Sequence, residues 1–462
     1  MLVARMRPVA IIGAGITGLT AAFYLKRKGI PATVYEASDR VGGVIRSSRR
    51  NGFLAECGPN TILETSPKIR DLIRDLDLEP RRLYTDPAAR NRYIVRNGQP
   101  VAMPTSPPGF LTTPLFSLPA KLAVLREPFV PRRRDGHEES VAEFVTRRLN
   151  REFLDRAVDA LVAGIYAGNP HNLSVRHALP RLFEQEQQYG SLIRGQIFGA
   201  RERERRGEVA RNKAKMFSFD DGLQVLTDRL GAEIADQLCL NTPVLKLTQI
   251  EKGWRVSTSA GDSDYQAVLY CGTAHRLPDL KIASPAVPDF SAFAGIRYAP
   301  VASVVLGFRR EDIDHPLDGF GMLIPGIEKF HILGSIFSSS LFPNRTPKDC
   351  VTLTSYIGGE RRPELTRRSP AELVQLARAD LQKLLGARGV PVFENVTLYP
   401  HAIPQYNVGY GRFKTLMDEI EARAGKLFFA GHYRDGVSLG DSIVSGANIA
   451  ERIAKNLLEN PV

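Results

Sequence analysis

The first 36 residues alternate apolar, small and polar positions in an order that predicts a strand, a turn, a helix and a second strand. Val9–Ile12 is apolar, Gly13–Gly18 is rich in glycine, Leu19–Lys28 has helical spacing, and Ala32–Tyr35 is β-prone. This order is typical of one βαβ unit. A second helix is predicted to begin at Ser66-Pro67, because serine caps helices and proline suits the first turn.

The middle of the chain predicts mainly helix. Prolines interrupt an apolar stretch at residues 103–131, and the basic residues Arg132–Arg134 follow it. Ser140 and Glu143 form a capping box that opens a helix, so residues 110–215 are predicted to be a helical insertion. The proline-rich stretch fits two interpretations: a segment that rests on a membrane surface, or a loop folded over the protein's own core.

After the helical insertion the pattern changes to short β-prone runs. Ser369 and Glu372 then cap a helix that is predicted to end near Gly386. Near the C-terminus, Lys426–Ala430 predicts a strand, followed by a glycine-rich turn and a helix from about Ser442. Both ends of the chain therefore carry a strand, a glycine-rich turn and a helix. The β-prone runs are Thr242–Leu247, Trp254–Thr258, Ala267–Tyr270 and Ala302–Phe308.

Length and charge narrow the class of protein. A chain of 462 residues is too long for one compact core, which predicts two or three domains. No apolar run approaches the roughly 18 residues that span a bilayer, and the N-terminus runs directly into a strand, so neither a membrane span nor a signal peptide is expected. The net charge of +12 favours anionic lipid, nucleic acid or a polycarboxylate substrate. Nucleic acid is set aside, because no supporting fold or interleaved aromatic residues accompany the charge.

The spacing of cysteines and histidines argues against a metal site. Cys57, Cys239, Cys271 and Cys350 lie far apart and form no CxxC pair, which fits a reducing cytoplasm and gives no disulfide framework. The eight histidines show no HxxxH or HExxH spacing. Catalysis is therefore predicted to depend on an organic cofactor and not on a metal.

The glycine-rich turn after the first strand fits the pattern GxGxxG, and Glu36 ends the next strand. The glycines let the backbone turn tightly and approach a pyrophosphate, while the helix N-terminus offers free N–H groups. Glu36 stands where an acid accepts the hydroxyls of a ribose. The sequence therefore predicts a dinucleotide site at this turn.

The chain then continues with Glu36, Arg40, Gly42 and Gly43 in the spacing E-x-x-x-R-x-G-G. Arg40 can neutralise phosphate, and the two glycines let a second loop approach a cofactor. This resembles the amine-oxidase-like FAD superfamily, and residues 431–441 resemble its closing flavin motif. His432 departs from the small or amide residue expected there and is interpreted as a hydrogen-bonding surface histidine. The resemblance implies FAD as cofactor, held by Gly13, Ala14, Gly15, Ile16, Thr17, Gly18, Glu36, Ala37, Arg40, Gly42, Gly43, Val44, Gly58, Pro59, Asn60, Thr61, Val244, Gly431, His432, Val437, Ser438 and Leu439.

Other stretches resemble the protoporphyrinogen oxidase family, which includes a coproporphyrinogen-oxidising branch. They include Asn91-Arg92-Tyr93, residues 163–170 (AGIYAGNP) and residues 403–406 (IPQY). By this resemblance Arg92 holds a propionate of a tetrapyrrole, a role that suits a planar guanidinium. The resemblance further implies that Leu323 and Ile336 enclose the macrocycle, that Tyr356 stacks on a pyrrole and that Gly168 lines the cavity.

The same resemblance implies a reaction. An FAD-dependent enzyme would oxidise protoporphyrinogen with O2 in three two-electron cycles and release H2O2. Arg92 favours protoporphyrinogen, with coproporphyrinogen III as the alternative. No residue is identified as a general acid or base. Two other classes stay open: another amine-oxidase-like flavoenzyme, and a non-catalytic escort protein on the same fold.

The predicted fold class is α/β (α+β), with a discontinuous Rossmann-like FAD-binding domain, a mixed-sheet substrate domain and a helical insertion. A cytoplasmic protein is expected, either free or peripheral on the cytoplasmic membrane, and the oligomeric state stays open, a homodimer included. The boundaries are 1–84, 216–290 and 400–462 for the FAD-binding domain, 85–109 and 291–399 for the substrate-binding domain, and 110–215 for the helical domain, which associates with membranes under one of its two interpretations.

Overall fold

The computed structural model describes residues 7–205 and 214–459. The strands of these residues form five sheets. In chain order the strands are β1 (Val9–Ile12), β2 (Ala32–Tyr35), β3 (Ser47–Arg50), β4 (Phe53–Glu56), β5 (Ile62–Leu63), β6 (Arg82–Tyr84), β7 (Asn91–Arg96), β8 (Gln99–Ala102), β9 (Met216–Phe219), β10 (Leu238–Cys239), β11 (Val244–Ile250), β12 (Gly253–Thr258), β13 (Gly261–Tyr265), β14 (Ala267–Tyr270), β15 (Lys281–Ala283), β16 (Tyr298–Arg309), β17 (Gly319–Leu323), β18 (Ile332–Ile336), β19 (Cys350–Gly358), β20 (Phe393–Pro404) and β21 (Leu427–Phe429).

Helices surround these sheets and fill the predicted insertion. None of the helices in the described part of the chain has both the length and the apolar content needed to cross a membrane. In chain order the α-helices are α1 (Ile16–Arg27), α2 (Pro67–Asp75), α3 (Pro107–Thr112), α4 (Leu118–Arg126), α5 (Val141–Arg148), α6 (Arg151–Phe153), α7 (Asp159–Tyr166), α8 (Val175–Ala178), α9 (Pro180–Tyr189), α10 (Leu192–Arg205), α11 (Gln224–Glu233), α12 (Ser338–Leu341), α13 (Pro370–Leu385), α14 (Gly411–Ala424) and α15 (Leu439–Glu459).

A parallel five-stranded sheet carries both glycine-rich turns. Its order is β10-β2-β1-β14-β21, and all neighbouring strands are parallel. The carboxyl ends of parallel strands share one edge of a sheet, and ligands bind at that edge in open α/β sheets. The turns after β1 and β21 therefore open on the same edge, although more than 400 residues separate them in the chain.

The first and last helices join the two ends of the chain beside this sheet. The Thr17 hydroxyl donates to the carbonyl of Ser442 at 3.1 Å. Gly446 on α15 has no room for a side chain, because a β-carbon there would lie 2.8 Å from Cβ of Thr20 on α1. The helix backbones can approach this closely only because position 446 is glycine.

A mixed seven-stranded sheet forms the other large layer, in the order β20-β16-β19-β18-β17-β7-β8. Its one parallel pair is β17 with β7, and the remaining neighbours are antiparallel. The edge strand β20 runs unbroken through residues 393–404 and so crosses the predicted boundary between 399 and 400. The predicted fold class is confirmed, with the α/β layer and the mixed sheet both present.

The local signals predicted most elements well. Ser66 caps α2, and the capping boxes at Ser140 and Ser369 are both formed. The predicted strands and the βαβ unit are present. The last helix begins at Leu439, three residues earlier than predicted, because the Ser438 hydroxyl accepts from the backbone N–H of Asp441 at 3.0 Å and caps it.

Helices are the only regular elements at residues 107–205, and a buried ionic cluster holds them together. Arg148 donates to Glu127 at 3.0 Å and to Glu186 at 2.7 Å, and all three side chains are almost fully buried. Glu127 also accepts from the backbone N–H groups of Leu192 and Ile193, so it caps α10. Residues 201–215 (RERERRGEVARNKAK) form a run rich in charge, and its residues 206–213 lie outside the described part of the chain.

Candidate active site

The turn after β1 has the geometry of a phosphate cradle. Gly13 has a φ of 104°, which favours glycine, and a β-carbon on Gly18 would collide with the carbonyl of Gly13. At Gly15, by contrast, a β-carbon would meet nothing within 4 Å, so open space lies above this residue. No side chain caps α1 and no acid lies in its first turn, so its N-terminal N–H groups remain available for an anion.

Glu36 lies beside this turn at the end of β2. Its carboxylate accepts from the backbone N–H of Ala14 at 2.8 Å and from that of Ser38 at 3.0 Å. Its own carbonyl accepts from the N–H of Thr242, two residues before Val244. The acid, the turn and the start of β11 therefore meet at one place, as the dinucleotide motif predicts.

The second glycine loop lies directly on the first. The N–H of Gly42 donates to the carbonyl of Ala14 at 2.8 Å, and a β-carbon on Gly43 would lie 3.7 Å from the α-carbon of Gly15. Arg40 does not point outwards from this loop. Its guanidinium donates to the carbonyls of Val41, Gly43 and Ile45, so it fixes the shape of the loop.

A third segment, residues 58–61, connects the cofactor edge to the seven-stranded sheet. A β-carbon on Gly58 would collide with the carbonyl of Val44, which explains the glycine. The amide of Asn60 donates to the hydroxyl of Tyr356 at 2.6 Å, and that hydroxyl donates to the carbonyl of Gly58 at 3.3 Å. Burial raises the pKa of Tyr356, so its hydroxyl keeps its proton. One predicted substrate residue thus contacts two predicted cofactor residues.

The C-terminal flavin motif closes the same site. Gly431 has a φ of 125°, and a β-carbon there would lie 3.8 Å from the hydroxyl of Thr17. Its N–H donates to the Ser445 hydroxyl at 3.0 Å. Val437, Ser438 and Leu439 follow at the N-terminus of α15, where backbone N–H groups can face an anion.

The predicted surface position of His432 is wrong. Its ring lies among aromatic neighbours, 5.8 Å from the ring of Tyr298, and its Nε2 atom is buried without a hydrogen-bond partner. Burial, with a further contribution from His275, lowers the pKa of His432 to about 4. No periodicity marks this position in the sequence, so only the assembled edge reveals that the residue after Gly431 points inwards.

Four predicted substrate residues share one face of the seven-stranded sheet. Arg92 pairs with Gly321 on the neighbouring strand, and Leu323 lies two residues further along that strand. Leu323 pairs with Gly334, which pairs in turn with Tyr356. Ile336 is two residues from Gly334 on β18, so the period of two puts all four side chains on the same side.

Gly168 lies apart from this face. It is buried, and a β-carbon there would meet Gln405 and Leu173 instead of an open cavity. The exposed glycine is Gly164, one helical turn earlier on α7, where a β-carbon would lie 2.6 Å from the Leu323 side chain. Helical spacing could not have distinguished the two glycines, because α7 ends at Tyr166 and the left-handed Ala167 turns the chain before Gly168.

Tyr399 is a further site residue that sequence reasoning missed. Its hydroxyl donates to the carbonyl of Val44 at 3.4 Å, which links β20 to the second glycine loop. Burial raises its pKa to about 12. No sequence signal marks it, because a tyrosine on a strand is usually a packing residue.

The cradle above Gly15, the uncapped α1, Glu36 and the inward-facing Nε2 of His432 fit a bound dinucleotide of the FAD type. Residues 13–18, 36–44, 58–61 and 431–439 would hold it. Among residues 7–205 and 214–459, no group of three or more His, Cys, Asp or Glu side chains is arranged to hold a metal ion. The fold and the site together define an FAD-dependent oxidoreductase.

Comparison with known proteins narrows this class. The family model "Flavin containing amine oxidoreductase" matches residues 16–454, and the chain belongs to this family. It is 35% identical to protoporphyrinogen oxidase 2 of Arabidopsis thaliana, over 97% of this chain and 94% of that protein. It is 29% identical to coproporphyrinogen III oxidase of Bacillus subtilis (strain 168), over 95% of this chain and 96% of that protein.

Solved structures agree on the fold. The crystal structure of a protein from Exiguobacterium sp. 255-15 is similar to this chain, with a TM-score of 0.78 and 24% identity. The similarity covers 98% of this chain and 99% of that one. Cyclohexylamine oxidase from Brevibacterium oxydans IH-35A is similar with a TM-score of 0.69 and 17% identity, over 98% of this chain and all of that one. At these identities the similarity establishes the fold alone.

Proposed function

We propose that this enzyme oxidises protoporphyrinogen IX to protoporphyrin IX with O2, in a six-electron reaction that releases H2O2. The observation that carries the proposal is the shared face of Arg92, Leu323, Ile336 and Tyr356. This face lies between Gly164 of α7 and the cofactor loop at residues 58–61. The names of the relatives support a porphyrinogen as the substrate that fills it.

The residues of this face have distinct tasks. Leu323 and Ile336 supply partly buried apolar surface for the flat macrocycle, and Tyr356 holds its ring against the cofactor loop. When bound, FAD accepts a hydride from a meso carbon of the substrate and passes two electrons to O2. The chain's part is to position the macrocycle and to exclude competing reactions. Three such cycles, each with loss of one proton from the substrate, complete the oxidation.

Arg92 is suited to bind a propionate of the substrate. Its side chain is exposed and lies over the ring of Phe320 at 5.7 Å. Within the described residues, no carboxylate forms an ion pair with it. A guanidinium that is held in place by an aromatic ring and lacks an acidic partner can bind a carboxylate bidentately.

Replacing Arg92 with alanine is expected to raise KM for the porphyrinogen roughly 10- to 100-fold with a smaller change in kcat, because a charge-assisted bond contributes about 1.5–3 kcal/mol. Porphyrin fluorescence and peroxide formation measure the rates. R92K should recover part of the loss, and R90A, an exposed neighbour, is the matched control. An R92A enzyme with wild-type KM would contradict the assignment.

Coproporphyrinogen III is the alternative substrate, supported by the relative from Bacillus subtilis. It carries four carboxylates where protoporphyrinogen carries two. Parallel turnover of both porphyrinogens by the FAD-loaded enzyme decides between them. If the loaded enzyme produces neither porphyrin nor peroxide from either substrate, the proposed function is wrong.

We also propose that residues 107–134 rest on an anionic membrane surface. One side of this segment packs inwards through Leu115, Phe116 and Ala120. The other side presents an apolar stripe at helical spacing: Leu118, Leu122, Leu125 and Phe129 are 50–82% exposed. Each such side chain would contribute about 1.5–3 kcal/mol if fully buried in the bilayer interface.

Basic residues border the stripe. Arg126, Arg132 and Arg134 are exposed, and each contributes about 1 kcal/mol near an anionic bilayer. Together the apolar stripe and these charges favour a peripheral location at a membrane over a free cytoplasmic one.

Glutamate at Leu118, Leu122 and Leu125 is expected to abolish sedimentation with phosphatidylserine vesicles. Glutamate at the exposed residues Val390 and Val392, remote in sequence, is the matched control and should leave sedimentation unchanged. Neutralising Arg132, Arg133 and Arg134 should weaken binding and remove its salt dependence. Wild-type enzyme that stays in the supernatant with both anionic and neutral vesicles would exclude this location.

A further inference from the structure

Three histidines from distant parts of the chain meet at the cofactor edge. His275 follows β14, His432 follows β21, and His401 lies on β20. The rings of His275 and His401 are stacked, with centroids 4.3 Å apart and an angle of 17° between them. Tyr298 lies among the three imidazoles, with centroid distances of 4.9 Å to His275, 6.4 Å to His401 and 5.8 Å to His432.

The position of this cluster connects it to the cofactor site. β14 and β21 are neighbours in the parallel sheet, so His275 and His432 lie at the ligand-binding edge. The loop that carries His275 also touches the first glycine turn, where a β-carbon on Gly13 would lie 3.0 Å from the backbone nitrogen of Gly272. The cluster therefore lies next to the phosphate cradle.

Two ring nitrogens of the cluster are buried without partners. They are Nδ1 of His275 and Nε2 of His432. Leaving a buried polar group unpaired costs about 1–3 kcal/mol, so such atoms are normally matched by a ligand or by water. Among the described residues, no hydrogen bond or ion pair joins these three rings to a carboxylate. No hydrogen bond to these two nitrogens in the described part of the protein therefore holds either ring in one tautomer.

Exposure differs across the cluster. His432 and His275 are both partly buried, each with one enclosed ring nitrogen, whereas His401 is exposed. A neutral imidazole can accept a proton on one nitrogen and release one from the other. The three rings therefore provide proton-carrying groups both at the surface and below it.

We propose that His432, His275 and His401 carry protons between the surface and the flavin site. Because the rings of His275 and His401 lie face to face, a proton would pass between them through water at the ring edges. The inference rests on the proposed reaction for its chemistry. In each cycle a substrate C–H bond gives a hydride to the cofactor and an N–H bond gives up a proton. O2 then takes two electrons and two protons to become H2O2, which balances the cycle.

The charges around the cluster fit this role. The pKa of His275 is lowered to about 4, mainly by burial. His401 and Arg276 lower it further, and Asp279 opposes them only in part. Tyr298 and Tyr433, which face the cluster from β16 and from the turn after β21, keep their protons because burial raises the pKa of each. At neutral pH His275 and His432 are therefore uncharged, and each can bind a proton in transit.

The test uses the FAD-loaded enzyme and needs no porphyrinogen. The flavin is reduced by light, mixed with O2, and its reoxidation is followed by absorbance in H2O and in D2O. H275F and H401F keep an aromatic ring but remove the titrating nitrogens. Each substitution is expected to slow reoxidation by about 10²-fold, the lower end of the rate effect of a positioned proton-transfer group. Each variant should also show a larger solvent isotope effect than wild type. Adding imidazole should recover part of the lost rate. H137F, at an exposed loop position, is the control and should behave as wild type.

Two outcomes would overturn the proposal. One is reoxidation at the wild-type rate in both variants with the flavin fully bound. The other is slow reoxidation without imidazole recovery and without a changed isotope effect, which indicates a packing role. If a variant loses FAD, H401Q at the exposed end replaces it in the same measurement. Because no porphyrinogen takes part, these results do not depend on whether the proposed substrate is correct.

Discussion

Replacing Gly15 with alanine is expected to weaken FAD binding on the order of 100-fold, about 2.8 kcal/mol, while the protein stays folded. Gly15 has a φ of −70° and a ψ of 174°, which alanine adopts without strain, and a β-carbon there meets no protein atom within 4 Å. The added methyl would instead occupy the space where a pyrophosphate approaches the helix N-terminus. Charge-assisted bonds to that anion, worth about 1.5–3 kcal/mol each, would lengthen or break.

Titration of the apoprotein with FAD, followed by quenching of flavin fluorescence, measures this change. Thermal unfolding of the apoprotein should be unaffected. G18A provides the contrast, because its β-carbon would collide with the carbonyl of Gly13 and should lower both stability and FAD affinity. A G15A protein that retains wild-type affinity would mean that the cradle does not hold the pyrophosphate.

Replacing Arg148 with methionine is expected to destabilise the helical region by about 3–5 kcal/mol, because it leaves the buried carboxylate of Glu127 without a counter-charge, whereas Glu186 keeps its ion pair with Arg147. Glu127 and Glu186 are both almost fully buried and both accept from this guanidinium. Glu127 also caps α10, so the loss should spread to that helix. Urea unfolding followed by circular dichroism measures the free energy of unfolding.

The control is R133M. Arg133 belongs to the same segment, but its ion pair with Asp135 is exposed, so little change is expected. Adding E127Q to R148M removes the unpaired charge and should recover part of the lost stability. If R148M unfolds at the same urea concentration as R133M, the buried cluster contributes no net stability.

Local sequence signals predicted the elements and the cofactor edge because each signal acts over a few residues. The turn at residues 13–18 and the caps at Ser140 and Ser369 depend on neighbouring backbone groups, and they formed as expected. The roles of Arg92 and Tyr356 come from family resemblance and stay predictions, and the strand register adds that both residues lie on one face of the sheet.

The errors arose where position depends on distant contacts. The ring of His432 lies 5.8 Å from that of Tyr298 on β16, and no local pattern encodes that contact. Gly168 and Gly164 are one helical turn apart on and after α7, and only the packing of that helix against Leu323 distinguishes them. Tyr399 on β20 contacts Val44 of the second glycine loop, 355 positions away in the chain.

The hydroxyl of Tyr356 makes the two binding events of this enzyme interdependent. It bonds to Asn60 and to Gly58 on the cofactor side, while its ring belongs to the proposed substrate face. Any shift of the loop when FAD binds therefore moves the surface that receives the macrocycle. Thermodynamic reciprocity then requires that, if FAD tightens substrate binding by some factor, the substrate tightens FAD binding by the same factor. If that factor exceeds one, the enzyme retains its cofactor most firmly while substrate is bound.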